Sequence, residues 1–203
     1  MKPRSSSNTE ADPAGDAALV TRARDGDRAA FDQLVIRHED RVYNMALRML
    51  GNADDALDLT QEVFLSAYRA LGTFESKSLF STWLYRVTVN RCRDELRRRA
   101  TVKHTRPRPL GGPAGDDAPS DPPARGASPA DAAILRESLD LVSAAVAALP
   151  EDAREALVLR DVEGLEYQEI ASVLEVPVGT VRSRLHRARS LLRDRLREAG
   201  VEG

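Results

Sequence analysis

The stretch from Tyr167 to Leu196 restricts the possible folds of this chain more than any other, and it reads YQEIASVLEVPVGTVRSRLHRARSLLRDRL. A short segment with helical periodicity comes first, a break follows at Glu175-Val176-Pro177, and an arginine-rich segment follows the break. In that second segment apolar residues recur at steps of three or four, so one face of a helix packs inward and arginines take the remaining surface. The inward positions are Val181, Leu185, Ala188, Leu192 and Leu196, and the arginines are Arg182, Arg184, Arg187, Arg189, Arg193, Arg195 and Arg197. Two helices around a short turn, the second one basic, predict a helix-turn-helix whose second helix enters a DNA major groove.

The residues that enter the second helix support this interpretation. Pro177 suits the first helical position, and Gly179 has no side chain that would keep a phosphate away from the helix start. The alternative is an ordinary amphipathic helix with a solvated basic face. That alternative does not account for the preceding helix or for the Pro-x-Gly-Thr entry.

Helical periodicity continues along the rest of the chain, and no segment has the alternating pattern of a strand. Further helices are expected at about 16–26, 28–50, 53–71, 80–99, 132–149 and 153–163. Residues 101–130 hold seven of the eleven prolines and almost no large apolar residue, which is typical of a linker. We therefore predict an all-α fold of two small helical domains joined by a flexible Pro/Gly-rich linker. The expected limits are a disordered tail at 1–15, a first domain at 16–100, the linker at 101–130 and a second domain at 131–203.

Composition narrows the class of function. The net charge is only −2, but arginines concentrate at 86–108 and in the last thirty residues, while carboxylates crowd the 53–71 helix. The single cysteine, Cys92, excludes an internal disulfide and is interpreted as a small buried residue rather than a reactive thiol. The three histidines have no ligand spacing, so we expect no metal, no cofactor and no catalytic centre. No apolar run approaches the ~20 residues of a membrane span, and the N-terminus lacks the apolar core of a secretory signal, so we expect a cytoplasmic protein without membrane insertion.

Three blocks of the sequence, in this order around the proline-rich segment, resemble the extracytoplasmic-function sigma factors, compact initiation subunits of bacterial RNA polymerase. The blocks are DQLVIRHEDRVYNMALRMLGNADDALDLTQEVFLSAYRAL, FSTWLYRVTVNRCRDELRRR and ALPEDAREALVLRDVEGLEYQEIASVLEVPVGTVRSRLHRAR. The resemblance implies a non-enzymatic factor that binds core polymerase, recognises the −35 and −10 promoter elements and promotes melting, in a stress or envelope response. One departure is Glu175, at a turn where the family often has glycine. A non-glycine residue with positive φ there would cost about 1 kcal/mol.

The resemblance implies three sets of site residues. The −35 set on the second helix of the helix-turn-helix is Thr180, Arg182, Ser183, Arg184, His186 and Arg187. Arg182 or Arg187 is the candidate for a bidentate contact to guanine, and Thr180 and Arg184 are candidates for phosphate contacts. His186 is either a base contact or an ordinary surface residue.

The −10 set lies in the loop from Thr73 to Leu79 and on the helix after it, where aromatic and basic groups suit an unstacked base. Its members are Phe74, Ser76, Lys77, Phe80, Asn90 and Arg93. The neighbouring Trp83 is expected in the core instead. The polymerase-binding set on the 53–71 helix is Asp54, Asp58, Gln61, Glu62 and Phe64.

The implied partners are promoter DNA, the clamp coiled coil and the flap of core RNA polymerase, and an anti-sigma factor. Acidic residues in the linker are either nucleic-acid mimics in the polymerase channels or part of a soluble spacer. The main rival function is a free-standing helix-turn-helix regulator, which leaves the acidic helix and the Thr73–Leu79 loop unexplained. A metal enzyme built on Asp54 and Asp58 is a third hypothesis, and it lacks a nearby histidine or a second carboxylate cluster.

Overall fold

The computed structural model describes residues 13–75, 78–105 and 141–200, and every regular element among them is helical. In the first half, α1 covers Pro13–Arg24, α2 Arg28–Leu50 and α3 Ala53–Ala70, a 3₁₀ turn covers Leu71–Thr73, and α4 covers Phe80–Thr105. In the second half, residues 141–147 are the described part of α5. Helix α6, Glu151–Leu157, runs on into a π-helical turn at Val158–Val162, and α7, Tyr167–Leu174, and α8, Val178–Glu198, follow. The predicted all-α class is confirmed.

Local sequence explains where these helices begin and end. Asp27 caps α2 by accepting a hydrogen bond from the Ala30 amide at 3.2 Å, and Asn52 caps α3 by accepting one from the Asp55 amide at 2.9 Å. Gly51 ends α2 in the left-handed conformation with φ of 70°, as the Gly-Asn pair predicts. The capped α2–α3 corner holds the acidic helix α3 firmly against the rest of the first half.

The predicted limits hold to within a residue at α2 and α3 and shift at several other helices. Helix α4 continues to Thr105, past the expected end at Arg99 and into the predicted linker. Helix α1 already begins at Pro13, inside the predicted tail. Pro177 caps α8 rather than occupying its first turn. The rest of the predicted tail and linker, 1–12 and 106–130, lies outside the described residues, so the domain limits stay predictions.

The buried residues form one continuous apolar cluster that draws on both halves. Helices α1 to α4 enclose its first part, around Leu34, Met45 and Leu84, and α6 to α8 enclose its second part, around Leu159, Ile170 and Leu185. The halves meet where α4 packs on α7 and where α2 packs on α6 and its π turn. Burial of this apolar surface is the main stabilising contribution to the fold.

Aromatic residues differ in how far they enter the core. Tyr68 on α3 is 50% exposed, and its ring packs edge-to-face with Phe31, with ring centroids 5.0 Å apart. Trp83, expected in the core, is half-buried and packs against it. Cys92 is fully buried, as predicted.

Candidate nucleic-acid and polymerase interfaces

Helices α7 and α8 form the predicted helix-turn-helix. At the start of α7 the Glu166 amide donates to the Glu169 carboxylate at 2.8 Å, which fixes the first turn. Between the helices Glu175 adopts φ of 56° and ψ of 44°, and it is the only non-glycine residue with positive φ among the described ones. Val181, Leu185 and Ala188 then bury one face of α8. The sequence therefore predicted both the fold of the motif and its unusual turn residue.

The six residues of the −35 set lie in the first three turns of α8. Arg182, Ser183, His186 and Arg187 are exposed and share one face, while Thr180 and Arg184 are half-buried. The Ser183 hydroxyl donates to the Thr180 carbonyl at 2.9 Å, so that hydroxyl is engaged within its own helix. Arg182 forms no ion pair with any described residue. The exposed face is thus a basic surface of the kind that enters a major groove.

Two arginines of this set approach carboxylates of α6. Arg187 lies 3.7 Å from Asp152, and Arg184 lies 3.8 Å from Asp152 and 4.0 Å from Glu155. These separations are at the limit of an ion pair, so the contacts orient the guanidinium groups without fully neutralising them. Arg184 is consequently held against α6, and Arg187 stays exposed beside Arg182.

The −10 set divides between buried and exposed positions. Phe74 and Phe80 are both buried, and they form one aromatic cluster with Trp83, with ring centroids 5.2 to 6.1 Å apart. Their ring faces are therefore covered in this arrangement, which favours a role in supporting the loop. Asn90 is exposed on α4. Ser76 and Lys77 lie outside the described residues.

Arg93, the last member of the −10 set, is engaged by the other half of the molecule. Its Nε lies 2.6 Å from Oε1 of Glu155 and its Nη2 lies 2.7 Å from Oε2. This is a bidentate ion pair, and its carboxylate is only 2% exposed. Glu155 is a residue that sequence reasoning missed, because a charged side chain in an apolar run gives no signal that it is buried.

The polymerase-binding set on α3 has four exposed members and one buried member. Asp54, Asp58, Gln61 and Glu62 face solvent, whereas Phe64 is buried in the core. Two leucines that were not predicted complete the exposed surface: Leu57 is 53% exposed and Leu65 is 56% exposed. They lie four residues before and after Gln61, on the same face as it, so helical spacing was a usable signal.

Burial perturbs the titration of two groups on α4. Burial raises the pKa of the Cys92 thiol to about 12, which makes it an unreactive residue at neutral pH. Burial also raises the pKa of Tyr85, and its hydroxyl bonds the Glu163 carboxyl that follows the π turn. Among the described residues no group of three or more ligating side chains suits a metal ion. None of the described helices is both long enough and apolar enough to span a membrane.

Comparison with known proteins assigns the class. Family models for sigma-70 region 2 and sigma-70 region 4 match residues 34–102 and 139–192, respectively. The RNA polymerase sigma-H factor of Pseudomonas aeruginosa is 40% identical over 87% of this chain and 91% of its own. The sigma-E factor of Escherichia coli is 38% identical over 87% and 92%, and SigW of Bacillus subtilis is 34% identical over 88% and 95%.

Solved structures agree with this class. The structure of CnrH in complex with the cytosolic domain of CnrY matches with a TM-score of 0.64 and 26% identity, covering 91% of this chain and 98% of that one. The sigma factor RpoE of Bartonella quintana, solved with the anti-sigma factor NepR, has the same fold at 24% identity and a TM-score of 0.65.

The two halves are therefore those of a sigma-70-type initiation factor. This chain belongs to the extracytoplasmic-function sigma factors of bacterial RNA polymerase. The resemblance seen in the sequence is confirmed, and the comparisons support a sigma factor over a free-standing regulator. The relatives are named as polymerase sigma factors and none of them as an enzyme.

Proposed function

We propose that this chain binds core RNA polymerase through the exposed face of α3 and directs it to promoters that α8 reads at −35 and α4 contacts at −10. The observation that carries this proposal is the exposed basic face of α8, where Arg182, His186 and Arg187 lie side by side at the start of a recognition helix. Side chains in these turns reach base edges, and a bidentate arginine–guanine contact contributes about 1–3 kcal/mol of discrimination.

The α3 surface suits attachment to a protein partner. It combines exposed carboxylates at Asp54 and Asp58 with the exposed leucines at 57 and 65. Apolar side chains surrounded by charges of one sign are typical of an interface in which burial contributes affinity and charge sets the register. The clamp coiled coil of the largest polymerase subunit is the partner that the family resemblance implies, and the flap is the partner implied for the second half.

The −10 contact is proposed for the loop before α4 and for the exposed amide of Asn90. Phe74 and Phe80, one on each side of this loop, form an aromatic cluster with Trp83. An extruded base needs a pocket and stacking to offset a few kcal/mol of lost base stacking. Asn90 presents an amide that is able to hydrogen-bond the edge of such a base.

Regulation by a second protein is also proposed. The CnrH structure, which this chain resembles along most of its length, contains the cytosolic domain of another protein, CnrY. We propose that this chain is likewise held by an anti-sigma factor when it is not required.

In vitro transcription tests the function directly. Fragmented host genomic DNA is transcribed by purified core polymerase with and without this protein, and discrete new start sites are expected only when it is present. Arg187→Ala should reduce these transcripts at least tenfold and leave binding to core polymerase intact. Arg197→Ala, which removes an exposed arginine from the last turn of the same helix, should have little effect.

Two results would count against this assignment. If no start sites depended on the protein while it bound duplex DNA without polymerase, it would act as an independent regulator. If Arg187→Ala weakened core binding as much as transcription, the division of roles between α3 and α8 would be wrong.

A further inference from the structure

A carboxylate borders the exposed basic face of α8. Asp152 belongs to the first turn of α6, whose start is set by Pro150, and negative charge is favourable at the N-terminus of a helix. Because α6 packs on α8, this side chain reaches the second helix of the helix-turn-helix, and it stays 40% exposed. An acidic group therefore lies at the edge of a surface that is proposed to meet the phosphates of DNA.

Asp152 contacts two arginines that are three residues apart on one face of α8. Its Oδ2 atom lies 3.8 Å from Nε of Arg184 and 3.7 Å from Nη1 of Arg187. The side chain of Arg184 is 21% exposed, whereas that of Arg187 is 58% exposed. Among the described residues no other carboxylate pairs with Arg187. Asp152 is thus the one described acidic group that acts on the exposed arginine of the pair.

The neighbouring Arg189 shows a different kind of pairing. Asp161, in the π turn after α6, accepts two hydrogen bonds from it, at 2.6 Å from Nη2 and 3.3 Å from Nε. The separation of 3.7 Å between Asp152 and Arg187 is too long for a hydrogen bond. Asp152 therefore attracts the Arg187 guanidinium without occupying its donors, which stay available to DNA.

We propose that Asp152 is a positioning residue that makes the −35 contact selective. It holds Arg187 toward the edge of a guanine, and it repels a phosphate that competes for the same guanidinium. This role rests on the promoter-binding function proposed above, and it identifies the residue that keeps Arg187 from binding DNA of any sequence.

Two kinds of DNA contact are open to an exposed arginine. A phosphate contact is possible on any sequence, whereas a bidentate contact to guanine occurs only at the correct base pair and discriminates roughly 5- to 150-fold. A phosphate that binds Arg187 also approaches the like charge of Asp152 and is repelled by it. A guanine base has no net charge, so the carboxylate weakens binding to incorrect sequences more than binding to the correct one.

Orientation of Arg187 in the free protein acts in the same direction. A long side chain loses rotamer freedom when it is held at one base edge, and this loss opposes binding. The attraction to Asp152 restricts the Arg187 side chain before DNA is present, so less freedom remains to be lost on binding. The phosphate contact gains less from this restriction, because phosphates are accessible from many side-chain positions.

Binding of core polymerase reconstituted with this protein to two promoter fragments tests the proposal. One fragment carries a start site mapped in the transcription experiment above, and the other has every G·C pair of its −35 element changed to A·T. The ratio of the two dissociation constants measures discrimination. Asp152→Asn should lower this ratio about fivefold, mainly by tightening binding to the altered fragment. Asp152→Glu, which keeps the charge, should restore most of the ratio.

The matched control is Asp194→Asn, the same change of charge at an exposed position farther along α8. It should leave the ratio unchanged, and an equal fall in both variants would reduce the effect to net charge and overturn the proposal. Salt dependence provides a second readout. On the altered fragment, the slope of log K against log salt should be steeper for Asp152→Asn by up to about 0.9, because one additional phosphate contact forms.

A double variant shows whether Asp152 acts through Arg187. In the Arg187→Ala background, Asp152→Asn should change the ratio less than twofold, because the side chain that it positions is absent. A fivefold fall in that background would overturn the proposal, and so would an unchanged ratio for Asp152→Asn alone. If the wild-type protein did not distinguish the two fragments, the promoter-reading function proposed above would itself be wrong.

Discussion

Individual polar residues in this fold are fixed by partners that come from distant parts of the chain. Asp16 on α1 illustrates this, because its carboxylate accepts hydrogen bonds from His38 Nε2 at 2.8 Å and from Arg37 at 3.1 Å, both on α2. Burial would by itself raise the pKa of Asp16, but the hydrogen bonds and charges of His38 and Arg37 outweigh it and lower that pKa below its ordinary value. The contact joins α1 to the rest of the first half.

Asp16→Asn should therefore lower the free energy of unfolding by about 1–3 kcal/mol at neutral pH, because a buried charged hydrogen-bond partner is lost. The pKa in the folded state is lowered, so the stability that the carboxylate contributes is fully present above its unfolded pKa near 4 and is lost as the pH falls through the lower folded pKa. Urea unfolding at pH 7 and at pH 3.5 measures the difference, which should be smaller at the lower pH. Asp40→Asn, the same change at an exposed position on α2, is the control and should change little. A pH-independent loss for Asp16→Asn would show that its charge is not what stabilises the fold.

Which side chains face solvent could be predicted on α8 and only in part on α3. On α8 the apolar residues are sparse and evenly spaced, so Val181 and Leu185 define one inward face and Arg182 necessarily lies beside it. On α3 nearly every other residue is apolar, and periodicity alone does not decide between Phe64, which is buried, and Leu65, which is not. The packing of α2 and α4 on α3 makes that choice. Glu155 could not be predicted at all, since its partner Arg93 lies sixty-two positions away.

At the scale of helices and turns, the backbone conformation of the turn between α7 and α8 is energetically unfavourable. Glu175 adopts the left-handed conformation, in which the side chain of a non-glycine residue is strained by about 1 kcal/mol. Its carboxylate pairs with Arg86 at 3.1 Å, but both side chains are largely exposed, and such pairs contribute little to stability. The strain energy of the Glu175 backbone therefore exceeds the stabilisation that its ion pair with Arg86 contributes.

Glu175→Gly should raise the free energy of unfolding by about 0.5–1 kcal/mol relative to Glu175→Ala. Both variants lose the Arg86 contact, and only glycine relieves the positive φ. Thermal unfolding of the two variants side by side isolates the backbone contribution. Equal melting temperatures would mean that the left-handed turn is not retained when the glutamate is removed.

The exposed face of α3 leads to a prediction about binding to core polymerase. Leu65→Ser should weaken binding to core polymerase about tenfold, because an exposed leucine that becomes buried in an interface contributes roughly 1.5 kcal/mol. The melting temperature should be unchanged, since Leu65 is 56% exposed in the free protein. Ile36→Ser removes an aliphatic residue of α2 that is 69% exposed and is the matched control. Equal affinities of the two variants for core polymerase would remove Leu65 from the interface.

At the scale of the whole molecule, the halves that the sequence presents as separate domains share one apolar cluster and part-buried polar contacts such as that between Arg93 and Glu155. The sequence predicted the helices of each half because periodicity is local. It did not predict their contact, which depends on the complementary positions of groups such as Arg154 and the Met49 carbonyl. Contacts of this kind form only when α2 and α6 are already packed against each other, so no sequence pattern predicts them.

Shared packing predicts how the molecule unfolds. The wild-type chain should melt in a single transition, with equal calorimetric and van't Hoff enthalpies, because neither half retains its buried surface when the other unfolds. Arg154→Ala should split this transition into two. Its guanidinium donates to Met49 in the first half and to Leu149 at 3.1 Å in the second, and its loss leaves a carbonyl at the interface without its partner.

The matched control for this prediction is Arg160→Ala. Arg160 also donates to a backbone carbonyl, that of Leu165 at 2.7 Å, and its guanidinium stacks over Tyr167, but all of these groups belong to the second half. Arg160→Ala should therefore lower the melting temperature and leave a single transition. Two transitions in the wild-type scan would show that the halves unfold independently and that their contact contributes little to stability. Two transitions in Arg160→Ala but not in Arg154→Ala would place the coupling elsewhere than at the α2–α6 contact.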